Sequence, residues 1–351
     1  MATKLENDTI YSVDFQSFQE KLFPHYRKLL NRVKKLTKIT FIFHTLFFIF
    51  FVSQLFVFFF LITNLFSSTF TAFVLGSIFL TVFSYSILFF YFQVKRPEEL
   101  KDICHIFLQD CKTALDIPIG EGEHHINIAH ALIHLSSYLD GFEKQLPFSL
   151  KWSPKFLESF NIFSHFEDIF LLKRILLLAA EEEHLQQVRL TPTDFELHTS
   201  LANCYISLYN LHKIPPLSLW LRFRFSRLLK EANEKYSFYA QKAIEEFKIL
   251  EHYAPNDPWV HLQLAKIYQD LGRALEEIQE YETVVKSHLL NTEALYRLGV
   301  LYFEQGENAK GLQIYEELKN ANFKKGEELI SFYGSWKEKT RYSLPIHRSN
   351  K

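Results

Sequence analysis

Between Lys38 and Lys95 the chain carries no Asp, Glu, Lys or Arg, and 18 of its 37 Phe fall inside that stretch. A bilayer core roughly 30 Å thick is crossed by a helix of about 20 apolar residues. Ile39–Thr63 and Phe70–Phe92 each supply that length, and the short uncharged connector Asn64–Thr69 joins them. The sequence therefore predicts a tight two-helix hairpin through a membrane. A buried core hairpin of a soluble protein is the competing reading, but an uncharged run this long exceeds what a core helix needs. On the near side Lys21, Arg27, Lys28, Arg32, Lys34, Lys35 and Lys38 form a basic run without an acid, and Lys95 and Arg96 close the second span. By the positive-inside rule both ends of the chain face the cytoplasm. The apolar region starts too late and is too long for a cleavable signal peptide. His44 and Gln54, polar groups inside the first span, are expected to hydrogen-bond across the hairpin rather than to mark a transport path.

The remainder of the chain is polar, so the composition excludes an ordinary soluble enzyme, a disordered chain and a disulfide scaffold. Lys and Arg number 39 against 40 Asp and Glu, a net charge of −1, which gives no global pull toward nucleic acid; none is expected as a partner. Three Cys (Cys104, Cys111 and Cys204), with no C-x-x-C spacing, read as reduced thiols. Cys104 and Cys111 lie seven residues apart and suit small core positions on one helical face. The Phe richness and AT-biased residue use point to a low-GC bacterium, and with the charge asymmetry to its inner membrane.

From Val94 onward the pattern is helical, and the search for internal repeats comes first. Leu264-Ala265-x-x-Tyr268-x-x-x-Gly272 written above Leu298-Gly299-x-x-Tyr302-x-x-x-Gly306 gives a shift of 34 residues. The same shift carries Ile278 onto Leu312, Tyr281 onto Tyr315 and Glu282 onto Glu316. A small residue (Ala265, Gly299) lets two helices approach closely, and Gly272 and Gly306 supply the turn after the first helix of each pair. This stretch resembles the tetratricopeptide repeat family, whose period it shares, over Pro258–Lys325. Upstream, Ala243, Ile244, Phe247 and Pro255 match the second helix of a repeat, while Leu201-Ala202-x-x-Tyr205 repeats the first-helix pattern about 29 residues too early. One repeat with an insertion between its helices, at about 210–238, follows. Pro192-Thr193-Asp194 closes a still earlier helix, Phe170–Leu190, with Ala180 at its small position. Glu277 stands where the family has a small residue, and His198, His261 and Leu295 stand where it has Trp.

The fold expected is all-α, a two-helix transmembrane hairpin followed by a cytosolic α-solenoid of tetratricopeptide-type helix pairs. Its parts are a basic N-terminal segment at 1–38, the hairpin at 39–93, a helical region of degenerate repeats at 94–190, the repeats with their insertion at 191–325, and a capping helix with basic tail at 326–351. Within 94–190, helices are expected over Glu98–Ile117, opened by Pro97, and over Ile126–Gln145 and Phe156–Ser164. Glu327–Trp336 is expected to cap the array, ending at Gly334.

Motifs for chemistry are sparse. His130 and His134, four residues apart on one helical face, and the Glu-x-x-His spacings Glu121/His124 and Glu181/His184 are the candidates for a metal site of the carboxylate-bridged kind. Solvated or helix-capping polar residues are the preferred reading of them, and no metal or other cofactor is expected. No Gly-rich phosphate loop, nucleophile elbow or H-E-x-x-H occurs, so catalysis is not expected. The insertion carries Leu217–Lys230 with Trp220, Arg222, Arg224 and Arg227 and no acid, an amphipathic stretch able to lie in a headgroup layer. A stripe of Leu221, Phe225, Leu228 and Leu229 packed on the solenoid is the preferred reading, because a buried stripe is the commoner reason for that spacing.

The resemblance implies a concave partner-binding groove lined from the first helix of each pair: Thr199 and Asn203; Trp259, Leu262, Gln263, Lys266 and Gln269; Tyr296, Arg297 and Phe303. Some members of the family clamp a partner's C-terminal carboxylate there with Lys, Asn and Arg. Asn203 and Arg297 match two such places, whereas Thr199 stands at a lysine position. The mix suits an extended protein segment with apolar anchors and a few acids, and no small-molecule substrate. The function expected is a membrane-anchored interaction scaffold or adaptor. Two alternatives are a protein resembling, in hairpin topology, the chlamydial inclusion-membrane proteins and facing a host cytosol, and a carboxylate/His metal-dependent enzyme.

Overall fold

The computed structural model describes residues 13–63, 68–114, 123–140, 154–213, 226–287 and 291–335, and side chains among these outside 13–19, 41, 68, 154–167 and 226–229. All regular structure among the described residues is helical: α1 Val13–Thr63, α2 Ser68–Ala114, α3 His124–Tyr138, α4 Pro154–Leu190, α5 Phe195–His212, α6 Ser226–Tyr253, α7 Pro258–Asp270, α8 Ala274–Ser287, α9 Thr292–Glu304, α10 Asn308–Asn320 and α11 Gly326–Leu329, followed by a 3₁₀ turn Ile330–Phe332. The chain divides into two compact units, one formed by Met1–Ser200 with Ser207–Glu234 and the other by Leu201–Ile206 with Lys235–Lys351.

In the first unit α1 and α2 pair as an antiparallel hairpin and are long and apolar enough to cross a membrane. The expected polar bonds across it form: Tyr85 Oη lies 3.1 Å from His44 Nδ1, and Gln54 Nε2 donates to Ser77 Oγ at 3.5 Å. Side chains on the outside have no partner surface to cover them; Phe56, Phe73 and Phe79 are each 74% exposed. Beyond the apolar stretch the inner face of α1, through Leu22, Tyr26, Leu29 and Val33, is buried in a core shared with Leu100, Cys104, Phe107 and Cys111 of α2 and Ile128, Leu132 and Leu135 of α3. Tyr26 stands at the centre of it, 5.4 Å from the Phe107 ring and 6.0 Å from His134, its hydroxyl donating to the Ala131 carbonyl. Cys104 and Cys111 are core residues as expected, and burial pushes the Cys104 thiol up to about 12.

Three expected boundaries are corrected here. Pro97 does not open a helix but lies inside α2, and α1 and α2 both run unbroken across residues 38/39 and 93/94. A proline inside a helix forfeits one hydrogen bond, and the buried seam Leu100–Phe107–Cys111 beyond it outweighs that loss. Phe156–Ser164 and Phe170–Leu190 are parts of one helix, α4, because no Gly or Pro interrupts Lys155–Leu190. Helix occupies both ends of the segment expected as the insertion at about 210–238: α5 extends to His212 and α6 begins at Ser226.

The second unit confirms the period. Shifting α7 by 34 residues reproduces the bounds of α9, and Asn308, the first residue of α10, is Ala274, the first of α8, moved by the same step. Gly272 (φ +68°) and Gly306 (φ +82°) take the left-handed conformation that ends each first helix, where glycine carries no Cβ penalty. Arg273 N–H then donates to Tyr268 O at 2.9 Å and Glu307 N–H to Tyr302 O at 2.8 Å, the same closing bond in both repeats. Ala265 and Gly299 are buried where the paired helices meet; a Cβ on Gly299 would lie 2.7 Å from Leu329 Cδ2. Leu329 on α11 is fully buried, and Gly334 (φ +80°) follows the 3₁₀ turn, so the cap is a short helix with a turn rather than one helix to Trp336, which lies outside the described residues.

Candidate binding face of the helical repeats

The buried repeat residues fall where the pattern requires. Leu201, Ala202 and Tyr205 on α5, Ala243 and Phe247 on α6, Leu264 and Tyr268 on α7, and Leu298 and Tyr302 on α9 are all buried, while Tyr281 and Tyr315 are half-buried and Pro255 is exposed in the turn before α7. One signal the sequence reading passed over ties α5 to α7. His198 Nε2–H donates to the carbonyl of Pro192 at 3.0 Å and His261 Nε2–H to that of Pro255 at 2.9 Å, each bond spanning six residues. Each histidine follows an Asp N-cap, Asp194 or Asp257, whose carboxylate accepts from the first backbone amides of its helix. The pattern Pro-x-Asp-x-x-x-His was readable in the sequence as a paired start signal.

The groove set divides on inspection. Lys266, Gln269 and Asn203 are exposed; Trp259, Leu262, Gln263 and Tyr296 are half-buried, with Trp259 edge-on to Phe247 at 5.7 Å and Tyr296 6.3 Å from Phe323. These residues present partly exposed apolar surface with polar groups beside it. Phe303 is not part of such a face. It is fully buried, and a Cβ added to Gly311 would meet its ring at 2.5 Å. Gly311 stands one period after Glu277 and Phe303 one period after Gln269, so the two exchanges go together. In one repeat the small residue of the second helix admits a ring from the first; in the other a glutamate occupies that place and the first helix keeps an exposed glutamine.

Arg297 is likewise committed elsewhere. Its Nε donates to Glu277 Oε1 at 2.9 Å, and Glu277 is buried. Burial pushes the Glu277 carboxyl above its ordinary value, with Arg297 acting in the opposite direction. The guanidinium is thus the counter-ion of a buried carboxylate, while its side chain stays partly exposed.

The histidine candidates do not converge. His134 stacks on Tyr26, whereas His130 Nε2 lies 2.6 Å from Ser200 Oγ. Ser200 also lies 2.7 Å from His184 Nε2, and His184 Nδ1–H donates to the Ala180 carbonyl at 2.8 Å. That last bond leaves His184 Nε2 as an acceptor for the Ser200 hydroxyl, a nucleophile-and-base geometry, but Ser200 and His184 are both buried, so no substrate carbonyl meets them. Burial lowers both imidazoles to about 4, keeping them neutral. His124 is buried, Glu181 is buried, and Glu121 lies outside the described residues. Trp220, Arg222 and Arg224 also lie outside them, and Arg227 lies in α6 where side chains are not described, so the amphipathic stretch has no structural account.

No family model and no curated protein matches the chain. Among solved structures, the human IFIT1 dimer with m7Gppp-AAAA aligns over 67% of this chain and 62% of its own at 15% identity and a TM-score of 0.31. The human IFIT1 dimer with PPP-AAAA aligns over the same shares at 15% identity and a TM-score of 0.30. The chain thus covers less than two thirds of those proteins' length. The exclusion of nucleic acid is withdrawn on physical grounds, because net charge describes the whole chain and not the face of one unit. The structure itself establishes one unit of helix pairs repeating at a 34-residue step and one unit that contains two long apolar helices.

Proposed function

We propose that this chain is a membrane-anchored, non-catalytic adaptor, in which α1 and α2 hold the protein in a bilayer and the repeat unit binds an extended segment of another protein. The observation that carries the anchor is the bare apolar surface of the hairpin. Contiguous exposed apolar area on this scale is unfavourable in water by roughly 25 cal/mol per Å² and is covered by lipid at no such cost. The basic run Lys21–Lys38 and Lys95 and Arg96 then lie on one side, which by charge asymmetry is the cytoplasmic one. On the repeat unit the face formed by Trp259, Leu262, Lys266, Gln269 and Tyr296, with Asn203 on α5, carries rigid aromatic anchors beside polar groups, the composition of a peptide-binding surface.

Two measurements test this. Resistance to alkaline extraction of membranes checks the anchor, and release into the supernatant overturns it. Capture of partners by full-length protein and by the Lys266→Glu/Gln269→Ala double variant, compared at equal melting temperature, checks the face. The variant should lose the partners that the wild type holds. Undiminished capture would move the working surface away from α7. Nuclease-sensitive capture would point to nucleic acid in place of a protein segment.

A further inference from the structure

The repeat unit contains a cluster that its own pattern does not call for. His261 on α7 replaces the repeat's usual apolar group and is 2% exposed, and Glu280 on α8 is 6% exposed; Glu251 on α6 completes a set whose ligand atoms all lie within 4.8 Å of one another. Lys248 reaches in from α6, its Nζ 2.7 Å from Glu251 and 3.1 Å from Glu280. His261 Nδ1 lies 2.7 Å from Glu280 Oε2. Because the Nε2 proton is already donated to the Pro255 carbonyl, a neutral ring would turn a bare lone pair toward a carboxylate oxygen. The contact therefore demands a cation between the two atoms. Without an ion a proton between His261 and Glu280 fills that place, and the Lys248 ammonium lies beside both carboxylates.

One divalent ion carries the same two positive charges. We propose that His261, Glu280 and Glu251 form a binding site for a divalent first-row metal ion such as Zn²⁺, with Lys248 as its built-in competitor. Three features support the assignment. The donor set of one imidazole and two carboxylates suits such an ion. The Nε2–H bond to a backbone carbonyl is the outer contact by which metal-bound histidines are oriented. Lys248 is the one partner at the cluster with a solvent-exposed, flexible stem, its side chain 44% accessible, so it can leave without opening the core. Binding then proceeds by a balanced exchange: the ion takes the Nδ1 lone pair and one oxygen from each carboxylate, the Nδ1 proton passes to buffer, and Lys248 turns to water. Three consecutive helices, α6, α7 and α8, would be joined through one ion. The corresponding place on α9 is Leu295, so the repeat that follows does not reproduce the site.

The test is Zn²⁺ titration of the full chain in detergent by calorimetry, in two buffers of different ionisation enthalpy. The expected result is one equivalent bound, with proton release, and a rise in melting temperature. Lys248→Met removes the competitor and should tighten binding by about tenfold, whereas Glu280→Gln should weaken it by about tenfold or more. If Glu280→Gln proves unfolded by circular dichroism, the Lys248→Met comparison still decides. Absence of saturable binding in both the wild type and Lys248→Met overturns the proposal, as does binding that is equal in wild type, Lys248→Met and a folded Glu280→Gln protein.

Discussion

Arg297 and Phe303 show how one residue's surroundings change its meaning. Both stand on α9 at positions that face outward in the family pattern; Phe303 is drawn fully inward against Gly311, and Arg297, still partly exposed, pairs with the buried Glu277. Removing the guanidinium leaves Glu277 buried and unpaired, so Arg297→Ala should cost about 3 kcal/mol or more. Lys266→Glu, an exposed change, should stay within about 0.5 kcal/mol. Melting curves of the two variants side by side decide, and equal stability would mean that Glu277 finds another partner or neutralises at little cost. Gly311→Ala should lose roughly 1–3 kcal/mol by driving a methyl into the Phe303 ring, and Phe303→Leu should restore part of that loss when combined with it. The tyrosines, the turn glycines and the 34-residue step were legible because each depends on local spacing alone. The roles of Arg297 and Phe303 were not, since they depend on which side chain sits opposite, and only alignment of Gln269 with Phe303 and Glu277 with Gly311 would have shown the paired exchange.

At the level of helices, the sequence marks starts better than continuations. Asp194 and Asp257 cap α5 and α7 as their residue types promise, yet Pro97 reads as a start and is an interior residue, because the seam of Leu100, Phe107 and Cys111 is a tertiary fact. The His130–Ser200–His184 contact joins α3, α4 and α5 and was visible only as scattered histidines. It makes the first unit sensitive to acid. Both rings titrate near 4 when folded against an ordinary 6.5, and a base whose folded value is depressed contributes stability that is whole above about 6.5 and is lost as the pH falls through 4. Shifts of this size amount to at most about 3 kcal/mol for each ring. Glu183 acts in a lower window. Burial raises its carboxyl, but hydrogen bonds from His125 and Lys112 outweigh that and hold it below its ordinary value, so its contribution fades only below the usual carboxylate range. Melting temperature measured from pH 7 to pH 4 should therefore fall before the carboxylates titrate. A flat profile across that interval would show that water or rearrangement rescues the imidazoles.

For the whole molecule, the hairpin was the most legible feature, because a run of uncharged residues needs no partner to be recognised. The orientation rests on charge asymmetry and gives a direct expectation: a reporter active only outside the cytoplasm, fused after Lys351, should be silent. Activity there would invert the topology. What no local pattern conveyed is that α1 and α2 do not pause where the apolar residues end. At about 1.5 Å per residue the 51 residues of α1 make a rod of roughly 75 Å, of which the apolar part is only half. The other half is clamped by Tyr26 and its neighbours to α2 and α3, with Arg96 of α2 paired to the buried Asp168 of α4 at 3.3 Å. Were the apolar halves to lie in a bilayer as proposed, a change in their tilt imposed by a thinner or thicker membrane would act as leverage on the clamped halves and so on α3 and α4.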